Sequence, residues 1–409
     1  MRNNDCPICQ QFSKTILRLQ FGKKLRLPAE VEVRHCDADN FLFLSGGQQS
    51  DYDNYYAGIA NDSVHRDVSG GAVRSPISQR QSEYLTAALG GFFDIPRRVL
   101  DFGCGEGSLL VELATNFPKS TFFGFEPGPA ALVATAKARQ LGLKNLLITS
   151  LNAEEKGAPL RKYDLVIASH VIEHMVDFDI LRLLPGSMES GALLYAEVPD
   201  SLRYEAQERL EFLYYFDRLH VNHFTPQSLA RLMRGCGFNY LEHFEYAFPY
   251  WDGGEYPALG MLFTVSGGPM DIPSPCLLEA SNRYIAREKQ RAKLVSSAFD
   301  EFDGVLIWGV GDNFHRSLEN GGPLSSVNDF ILLDRRSQEV MVRNAAYQTI
   351  APEKGIRESP WPVVVTISGG QRGVERSDKR DRPGKKNSIR VSDRRSSRRR
   401  HPWLRTCAC

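Results

Sequence analysis

The sequence contains no run of about 18 consecutive apolar residues, the length that a membrane-spanning helix requires. Its first residues also lack the apolar stretch of a secretory signal peptide. These absences argue against a membrane protein and predict a cytoplasmic location. Cysteines are not dense enough for a disulfide scaffold, because only eight are spread over 409 residues. In a cytosolic protein, a close pair such as Cys6 and Cys9 indicates a metal site before a disulfide.

Charge is distributed unevenly along the chain, although the net charge is only +1. Residues 372–409 carry 14 Lys and Arg against 4 Asp and Glu, whereas the preceding residues are mildly acidic. The acidic body gives no reason to expect a nucleic-acid partner. The basic segment 371–409 has almost no apolar periodicity and is predicted to be disordered. A binding arm for RNA or membranes and a shifted reading frame are the alternatives for this segment.

Short apolar segments alternate with helical patterns over residues 75–265. The expected strands are 99–102, 121–125, 145–148, 163–169 and 192–198, with two closing strands at 239–247 and 259–265. Apolar strands that alternate with helices predict a parallel sheet with both faces covered, an α/β fold. A second α/β unit is expected over 280–370, since a charged helix there precedes the apolar segments 304–308, 330–333 and 362–367.

The strongest motif is Val-Leu-Asp-Phe-Gly-Cys-Gly-Glu-Gly over residues 99–107, where a strand runs into the glycines Gly103, Gly105 and Gly107. Glycines allow the backbone to turn sharply and to approach a ligand closely. A dinucleotide-binding fingerprint would place its third glycine at Ser108, so that class is disfavoured. The acidic side chains of Asp101 and Glu106 beside the turn favour a cationic ligand over a phosphate.

Further candidate ligand-binding residues follow the next strands of the predicted sheet. Glu126 ends the second strand and can accept hydrogen bonds from both hydroxyls of a ribose. Asn152 and Ala153 follow the third strand, where an adenine edge is expected. Ser169 and His170 end the fourth strand, which should face the reacting group of the ligand. The carboxyl ends of parallel strands share one edge of the sheet, so these residues should line one crevice.

In this order, the motifs of residues 98–200 resemble those of class I S-adenosylmethionine-dependent methyltransferases. The resemblance rests on the glycine turn, the acid Glu126, the segment Tyr-Asp-Leu-Val-Ile-Ala-Ser-His with Val-Ile-Glu-His, and a late strand that ends at Pro199. It implies a Rossmann-like fold and S-adenosylmethionine as the cofactor. It also implies transfer of a methyl group to a small polar acceptor.

The flanking segments resemble those of the sugar C-methyltransferases that carry an N-terminal zinc-binding domain and a C-terminal Rossmann-like domain. The resemblance implies a zinc-ribbon-like module over 1–50, a methyltransferase core over 75–265, a C-terminal α/β unit over 280–370 and a tail over 371–409. Two Cys-x-x-Cys pairs bind the zinc in that family, but the second pair here reads Cys-Asp-Ala-Asp. The expected ligands are therefore Cys6, Cys9, Cys36 and Asp39, with His35 as the alternative to Asp39 and an empty site as the other reading.

Residues 216–224 resemble the segment that supplies Tyr, Glu and His in the sugar C-methyltransferases. His223 matches the histidine of that pattern, and His220 and Asn222 stand at the Tyr and Glu positions. A histidine near neutral pKa suits proton removal next to a ketone, so His223 is the favoured base and His220 the second candidate. If neither histidine is the base, the next candidates for that role are Tyr55, Tyr56 and His170. The implied acceptor is a nucleotide-linked keto-sugar; the alternatives are O-methylation of a sugar or metabolite hydroxyl and a non-catalytic scaffold.

Overall fold

The computed structural model describes most of the chain up to residue 366. The described ranges are 5–22, 27–52, 54–55, 76–95, 97–149, 162–206, 209, 211–249, 254–265, 272 and 274–366. The predictions for Asn152, Ala153, Tyr56 and the basic tail 371–409 lie outside these ranges. Within the ranges, no helix is both long enough and apolar enough to cross a membrane.

A seven-stranded sheet forms the centre of the methyltransferase-like region. Its strands are β4 (Arg98–Phe102), β5 (Thr121–Phe125), β6 (Leu146–Thr149), β7 (Tyr163–Ser169), β8 (Met188–Pro199), β10 (Asn239–Pro249) and β11 (Glu255–Thr264). The order across the sheet is β10-β11-β8-β7-β4-β5-β6. The five strands from β4 to β8 are parallel, whereas β11 is antiparallel to both of its neighbours. The predicted Rossmann-like core is confirmed, with strand β8 extending beyond its expected bounds.

Helices cover both faces of this sheet. They are α1 (Pro76–Leu89), α2 (Ser108–Asn116), α3 (Ala130–Gln140) and α4 (Pro226–Gly235). Helix α2 turns its leucines into an apolar core shared with β4, β5 and β7. Helix α4 begins with a capping box, in which Thr225 and Ser228 exchange side-chain and backbone hydrogen bonds. Pro226 occupies its first turn, where the missing backbone N–H costs little.

A second, four-stranded sheet uses three strands of the N-terminal segment. Its strands are β1 (Lys14–Gln20), β2 (Glu30–Cys36), β3 (Phe41–Ser45) and β9 (Asn222–His223), in the order β1-β2-β3-β9. Strand β3 is buried along its whole length, so it lacks the alternation of polar and apolar residues that identifies a strand. The short strand β9 pairs antiparallel with β3, which places His223 opposite Leu42.

The C-terminal region contains a small parallel sheet. Its elements are α5 (Leu277–Ser296), β12 (Val305–Trp308), α6 (Asp312–Glu319), β13 (Phe330–Leu333), α7 (Pro352–Glu358) and β16 (Val363–Val365), with the hairpin β14 (Glu339–Val342) and β15 (Ala345–Gln348) inserted after β13. The sheet order is β13-β12-β16, and both pairs are parallel.

Two compact units divide the chain. One contains residues 1–16, 33–207 and 218–281, and the other contains 17–32, 208–217 and 282–409. Each unit is therefore assembled from separate stretches of sequence. The domain boundaries expected at 1–50, 75–265 and 280–370 stay predictions. Apolar periodicity reports local structure and carries no information about which distant stretches of the chain pack together.

Candidate active site

The glycine turn after β4 has three residues in the left-handed region, which favours glycine. The φ angles are +77° at Gly103, +52° at Gly105 and +69° at Gly107. A methyl group on Gly103 would lie 2.5 Å from Cγ2 of Val171, and one on Gly107 would lie 2.8 Å from Cβ of Ala134. At Gly105 it would meet nothing within 4 Å. Two of the glycines thus permit close packing, while Gly105 presents its backbone to open space.

Hydrogen bonds from two backbone amides hold the carboxylate of Glu126 against this turn. Its Oε2 accepts a hydrogen bond from the amide of Gly105 at 3.0 Å, and its Oε1 accepts one from the amide of Gly128 at 2.8 Å. The carboxylate therefore lies beside the open face of Gly105, at the end of β5. An ionised carboxylate has about four lone-pair positions, so Glu126 can accept further hydrogen bonds from a ligand.

Asp101 lies behind the turn in β4 and is almost fully buried. Among the residues that the structure describes, its Oδ1 atom has no hydrogen-bond partner. Burial, together with the nearby charges of Glu197 and Glu126, raises the pKa of Asp101 to about 8. The carboxyl of Asp101 thus lies near the charges of Glu126 and Glu197, and a cation bound beside it would favour its ionised form.

Glu106 contributes less to this field than its place in the motif suggested. Nζ of Lys137 lies 3.1 Å from Oε2 of Glu106 and also 3.1 Å from the hydroxyl of Ser108. The charge of Glu106 is therefore offset within the protein. The interpretation that Glu106 favours a cationic ligand is replaced by one in which the carboxylate of Glu126, beside the open face of Gly105, carries that role.

Ser169 and His170 end β7 in a buried polar network centred on Glu197. The Ser169 hydroxyl donates to Oε1 of Glu197 at 2.9 Å, and Nε2 of His170 lies 3.1 Å from the same oxygen. Nδ1 of His170 lies 2.9 Å from Oε1 of Glu173. Burial opposes a charge on His170, but its hydrogen bonds to Glu173 and Glu197 raise the pKa to about 10. His170 is therefore a positively charged link between two buried carboxylates, not a base at neutral pH.

Three further side chains complete the network around Glu197, and sequence reasoning did not identify them. Nε2 of Gln81 donates to Oε1 at 2.8 Å, and the hydroxyl of Tyr195 donates to Oε2 at 3.0 Å. The hydroxyl of Tyr246 donates to the same Oε2. Burial opposes ionisation of Glu197, yet these partners and His170 lower its pKa to about 2. The sequence offered one indication of this network, because Glu197 is a charged residue near the end of an otherwise apolar strand.

The two candidate bases lie in different surroundings. His223 is fully buried, with its Nδ1 3.1 Å from the hydroxyl of Tyr204, and burial lowers its pKa to about 3. His220 is half-buried, and its ring centre lies 5.1 Å from that of His174. Buried Asn222, between them, donates through Nδ2 to the carbonyls of Ile172 and Met175 at 3.0 and 2.7 Å. The segment therefore presents His220 beside Glu173 and His174, while His223 lies in the interior.

The N-terminal candidate metal ligands come together. Single donor atoms of Cys6, Cys9, Cys36 and Asp39 all lie within 4.8 Å of one another. Oδ2 of Asp39 is 3.1 Å from Sγ of Cys6, and the sulfur atoms of Cys9 and Cys36 are 3.6 Å apart. His35 is not a member of this cluster. Its Nδ1 lies 3.1 Å from Oδ1 of Asp37 instead. Of the two alternatives for the fourth ligand, Asp39 is the one that the fold brings to the cysteines.

Comparison with known proteins gives matches to the central region of the chain. Residues 77–243 match the family model described as a methyltransferase domain. Trans-aconitate 2-methyltransferase of Methylobacterium radiotolerans is 31% identical over 110 residues, which cover 27% of this chain and 40% of that protein. Aklanonic acid methyltransferase of Streptomyces sp. (strain C5) is 33% identical over 82 residues, covering 20% and 37%. The chain thus spans about two fifths of the length of these relatives.

The chain also has matches among solved structures. Magnesium protoporphyrin IX methyltransferase from Synechocystis PCC 6803, with bound S-adenosylhomocysteine, has a TM-score of 0.40 and 17% identity, and the match covers 54% of this chain and all of that one. Coclaurine N-methyltransferase, also bound to S-adenosylhomocysteine, has a TM-score of 0.35 and 14% identity, covering 46% and 72%.

Proposed function

We propose that this chain, whose residues 77–243 match a methyltransferase domain model, is a class I methyltransferase and transfers the methyl group of S-adenosylmethionine to a small polar acceptor. The observation that carries the proposal is the turn after β4, where Glu126 binds the amide of Gly105 beside an open backbone face. When bound, S-adenosylmethionine supplies an electrophilic methyl group on a positively charged sulfur.

The residues around the turn fit this cofactor. Glu126 is held by two amides and keeps lone pairs for the two ribose hydroxyls. Gly105 allows the amino-acid part of the cofactor to approach the backbone closely. The pKa of about 8 leaves Asp101 mainly protonated at neutral pH in the free protein, and a sulfonium or ammonium group bound near it would favour its ionised form.

Calorimetric titration of S-adenosylmethionine and S-adenosylhomocysteine into the Glu126→Ala variant tests the cofactor site. Loss of charge-assisted hydrogen bonds, each contributing roughly 1.5–3 kcal/mol, should lower the affinity for both ligands at least tenfold. Glu189→Ala is the matched control, since Glu189 pairs with Arg98 on the exposed surface. Unchanged affinity for both ligands in Glu126→Ala would contradict the assignment of Glu126 to the cofactor site. No binding by the wild-type protein would favour the non-catalytic scaffold instead.

For the acceptor, we propose a nucleotide-linked sugar as the first class to test. The resemblance to sugar C-methyltransferases supports it, but Asn222 does not supply an acid or a base here, because its amide is committed to two carbonyls. O-methylation of a hydroxyl is therefore the second candidate. A screen of nucleotide-sugars with labelled S-adenosylmethionine, followed by NMR of the product, distinguishes a new C–CH₃ group from an O–CH₃ group.

We also propose that Cys6, Cys9, Cys36 and Asp39 bind one zinc ion. Three thiolates and one carboxylate form a ligand set that tetrahedral Zn²⁺ accepts. Asp39 is oriented from outside the cluster, since Nη1 of Arg231 lies 3.3 Å from its Oδ1 while Oδ2 faces the cysteines. Support of a metal ligand by a second residue in this way is common in zinc sites.

Elemental analysis of protein purified without chelator tests the zinc proposal. We expect about one zinc per chain, lost in Cys9→Ser and reduced in Asp39→Ala. Cys276→Ser is the matched control, because Cys276 is an exposed thiol outside the cluster. Wild-type protein without metal, or Cys9→Ser with full zinc content, would contradict the proposal. Retention of zinc in Asp39→Ala together with its loss in a His35→Ala variant would identify His35 as the fourth ligand.

A further inference from the structure

A second cluster of metal-ligand side chains lies at the carboxyl end of β7. Donor atoms of Glu173, His174 and His220 all lie within 4.8 Å of one another. Glu173 and His174 belong to the helical turn Ile172–His174 that follows β7, while His220 comes from the segment before β9. We propose that these three side chains bind a divalent first-row transition-metal ion, of the class represented by Mn²⁺.

The two segments that carry the ligands are held in a fixed relation by hydrogen bonds. Nδ2 of Asn222 donates to the carbonyls of Ile172 and Met175, on either side of Glu173 and His174. The carbonyl of Leu219, the neighbour of His220, accepts a hydrogen bond from Nδ1 of His174 at 2.9 Å. The ligand positions are thus tied together on both sides before any ion binds, which is the preorganisation that a metal site requires.

The hydrogen bond to Leu219 also fixes the proton on the His174 ring. A carbonyl oxygen can only accept, so Nδ1 of His174 carries the hydrogen and Nε2 of the neutral ring has the lone pair. This Nε2 lies 3.9 Å from Oε1 of Glu173. Donation of the second ring N–H to a backbone carbonyl is the usual arrangement of a histidine that binds a metal ion.

Glu173 supplies an independent observation. The side chain is fully buried, and its Oε1 is paired with Nδ1 of His170. Across the described part of the chain, its Oε2 finds no hydrogen-bond partner. A buried carboxylate oxygen without a partner costs free energy, and an unseen ion is one of the standard explanations. A cation bound to Oε2 would remove that cost.

The spacing and the ligand types indicate which ions fit. Two ligand atoms on opposite sides of an ion, each about 2.1 Å away, are about 4.2 Å apart, so the cluster closes around an ion with small movements. Two imidazoles and one carboxylate suit first-row divalent metals and leave coordination positions open. His174 and His220 are half-buried, so those positions can be reached from outside. If the proposed function holds, the open positions would take oxygen atoms of the acceptor, such as two neighbouring hydroxyls.

Titration of Mn²⁺ into full-length protein that holds no more than one zinc per chain, followed by electron paramagnetic resonance, tests the proposal. We expect one bound Mn²⁺ per chain in the wild type. Its affinity should fall at least tenfold in both His220→Ala and Glu173→Gln. His243→Ala is the matched control, because His243 pairs with Tyr240 in β10. Cys9→Ser should also keep the Mn²⁺ site, since the N-terminal cluster is separate.

The outcomes are separable from those of the cofactor test. Binding of S-adenosylhomocysteine reports whether each variant is folded and whether the proposed function stands, and it does not depend on Mn²⁺. Unchanged Mn²⁺ affinity in His220→Ala, or no binding by the wild type, would overturn the metal site. Loss of Mn²⁺ in Cys9→Ser would assign the ion to the N-terminal cluster and overturn it as well. If Glu173→Gln does not fold, the half-buried His220 still decides the question.

Discussion

The donor side and the acceptor side of the candidate crevice are built in different ways. The donor side comes from one continuous stretch, residues 99–126, in which a strand, a glycine turn, a helix and a second strand follow each other. The acceptor side combines Gln81, the turn after β7, the end of β8 and the segment 219–223. A site made by adjacent residues leaves a readable motif, whereas a site assembled from distant segments leaves only scattered polar residues.

The two sides also differ in what stabilises them. At the donor side, backbone conformation dominates, because three glycines adopt positive φ angles. At the acceptor side, buried charge dominates, since His170 links the buried carboxylates of Glu173 and Glu197. Removing one member of a buried ion pair commonly costs 3–5 kcal/mol. The acceptor side should therefore tolerate substitution less well than the donor side, except at the half-buried histidines.

The largest effect is expected at His220. The His220→Ala substitution should lower turnover by roughly 10²-fold or more, because the removed side chain would act on the acceptor through the proposed metal ion or, without an ion, as the base. A larger effect is expected there than in His223→Ala. His223 is fully buried with a pKa near 3, so its loss should instead lower thermal stability. The measurement is steady-state turnover with a saturating acceptor, alongside a thermal unfolding curve for each variant.

His243→Ala serves as the control for this pair, as a histidine of β10 outside both segments. If His223→Ala folds normally and loses turnover while His220→Ala keeps it, His223 is the base, as the sequence pattern alone favours. Equal and complete loss of S-adenosylhomocysteine binding in both variants would indicate a structural role for the whole segment.

A comparison of two glycines separates ligand approach from packing at the donor side. Gly105→Ala should cost about 1 kcal/mol of folding stability because of its positive φ, and its new methyl group should weaken S-adenosylhomocysteine binding at least tenfold. Gly103→Ala should cost about 2 kcal/mol or more, since a contact with Val171 adds to the strain. Chemical denaturation and calorimetry measure the two quantities; a larger stability loss in Gly105→Ala would contradict the assignment.

The smallest effect concerns the pH dependence of stability. The folded protein holds the proton of Asp101 more tightly than the unfolded chain, with a pKa of about 8 against an ordinary 3.8. The stability that this proton contributes is therefore complete below pH 4 and is lost as the pH rises to about 8. Asp101→Asn mimics the protonated acid, so its melting temperature should exceed that of the wild type at pH 8, and the gap should shrink toward pH 5. A gap independent of pH would show that Asp101 does not titrate in this way.

The sequence by itself determined the elements that depend on local pattern. Strands β5 and β7 have the bounds that their apolar runs predicted. The glycine turn and Glu126 were identified because a turn and a strand end are properties of neighbouring residues. Cys6 and Cys9 were identified as a candidate metal pair by their spacing, whereas Cys36 and Asp39 joined the set through the resemblance to the sugar C-methyltransferases.

Only the tertiary structure decided which side chains from distant segments lie close to each other. It brought Asp39 rather than His35 to the cysteines, and it paired Glu106 with Lys137. It also buried His223 against β3 and gathered Glu173, His174 and His220 at the end of β7. Burial and long-range hydrogen bonds set the pKa and the accessibility of each side chain, and both depend on residues far away in sequence. The chain's local patterns therefore specify its elements, whereas the chemistry of its polar side chains follows from how those elements pack.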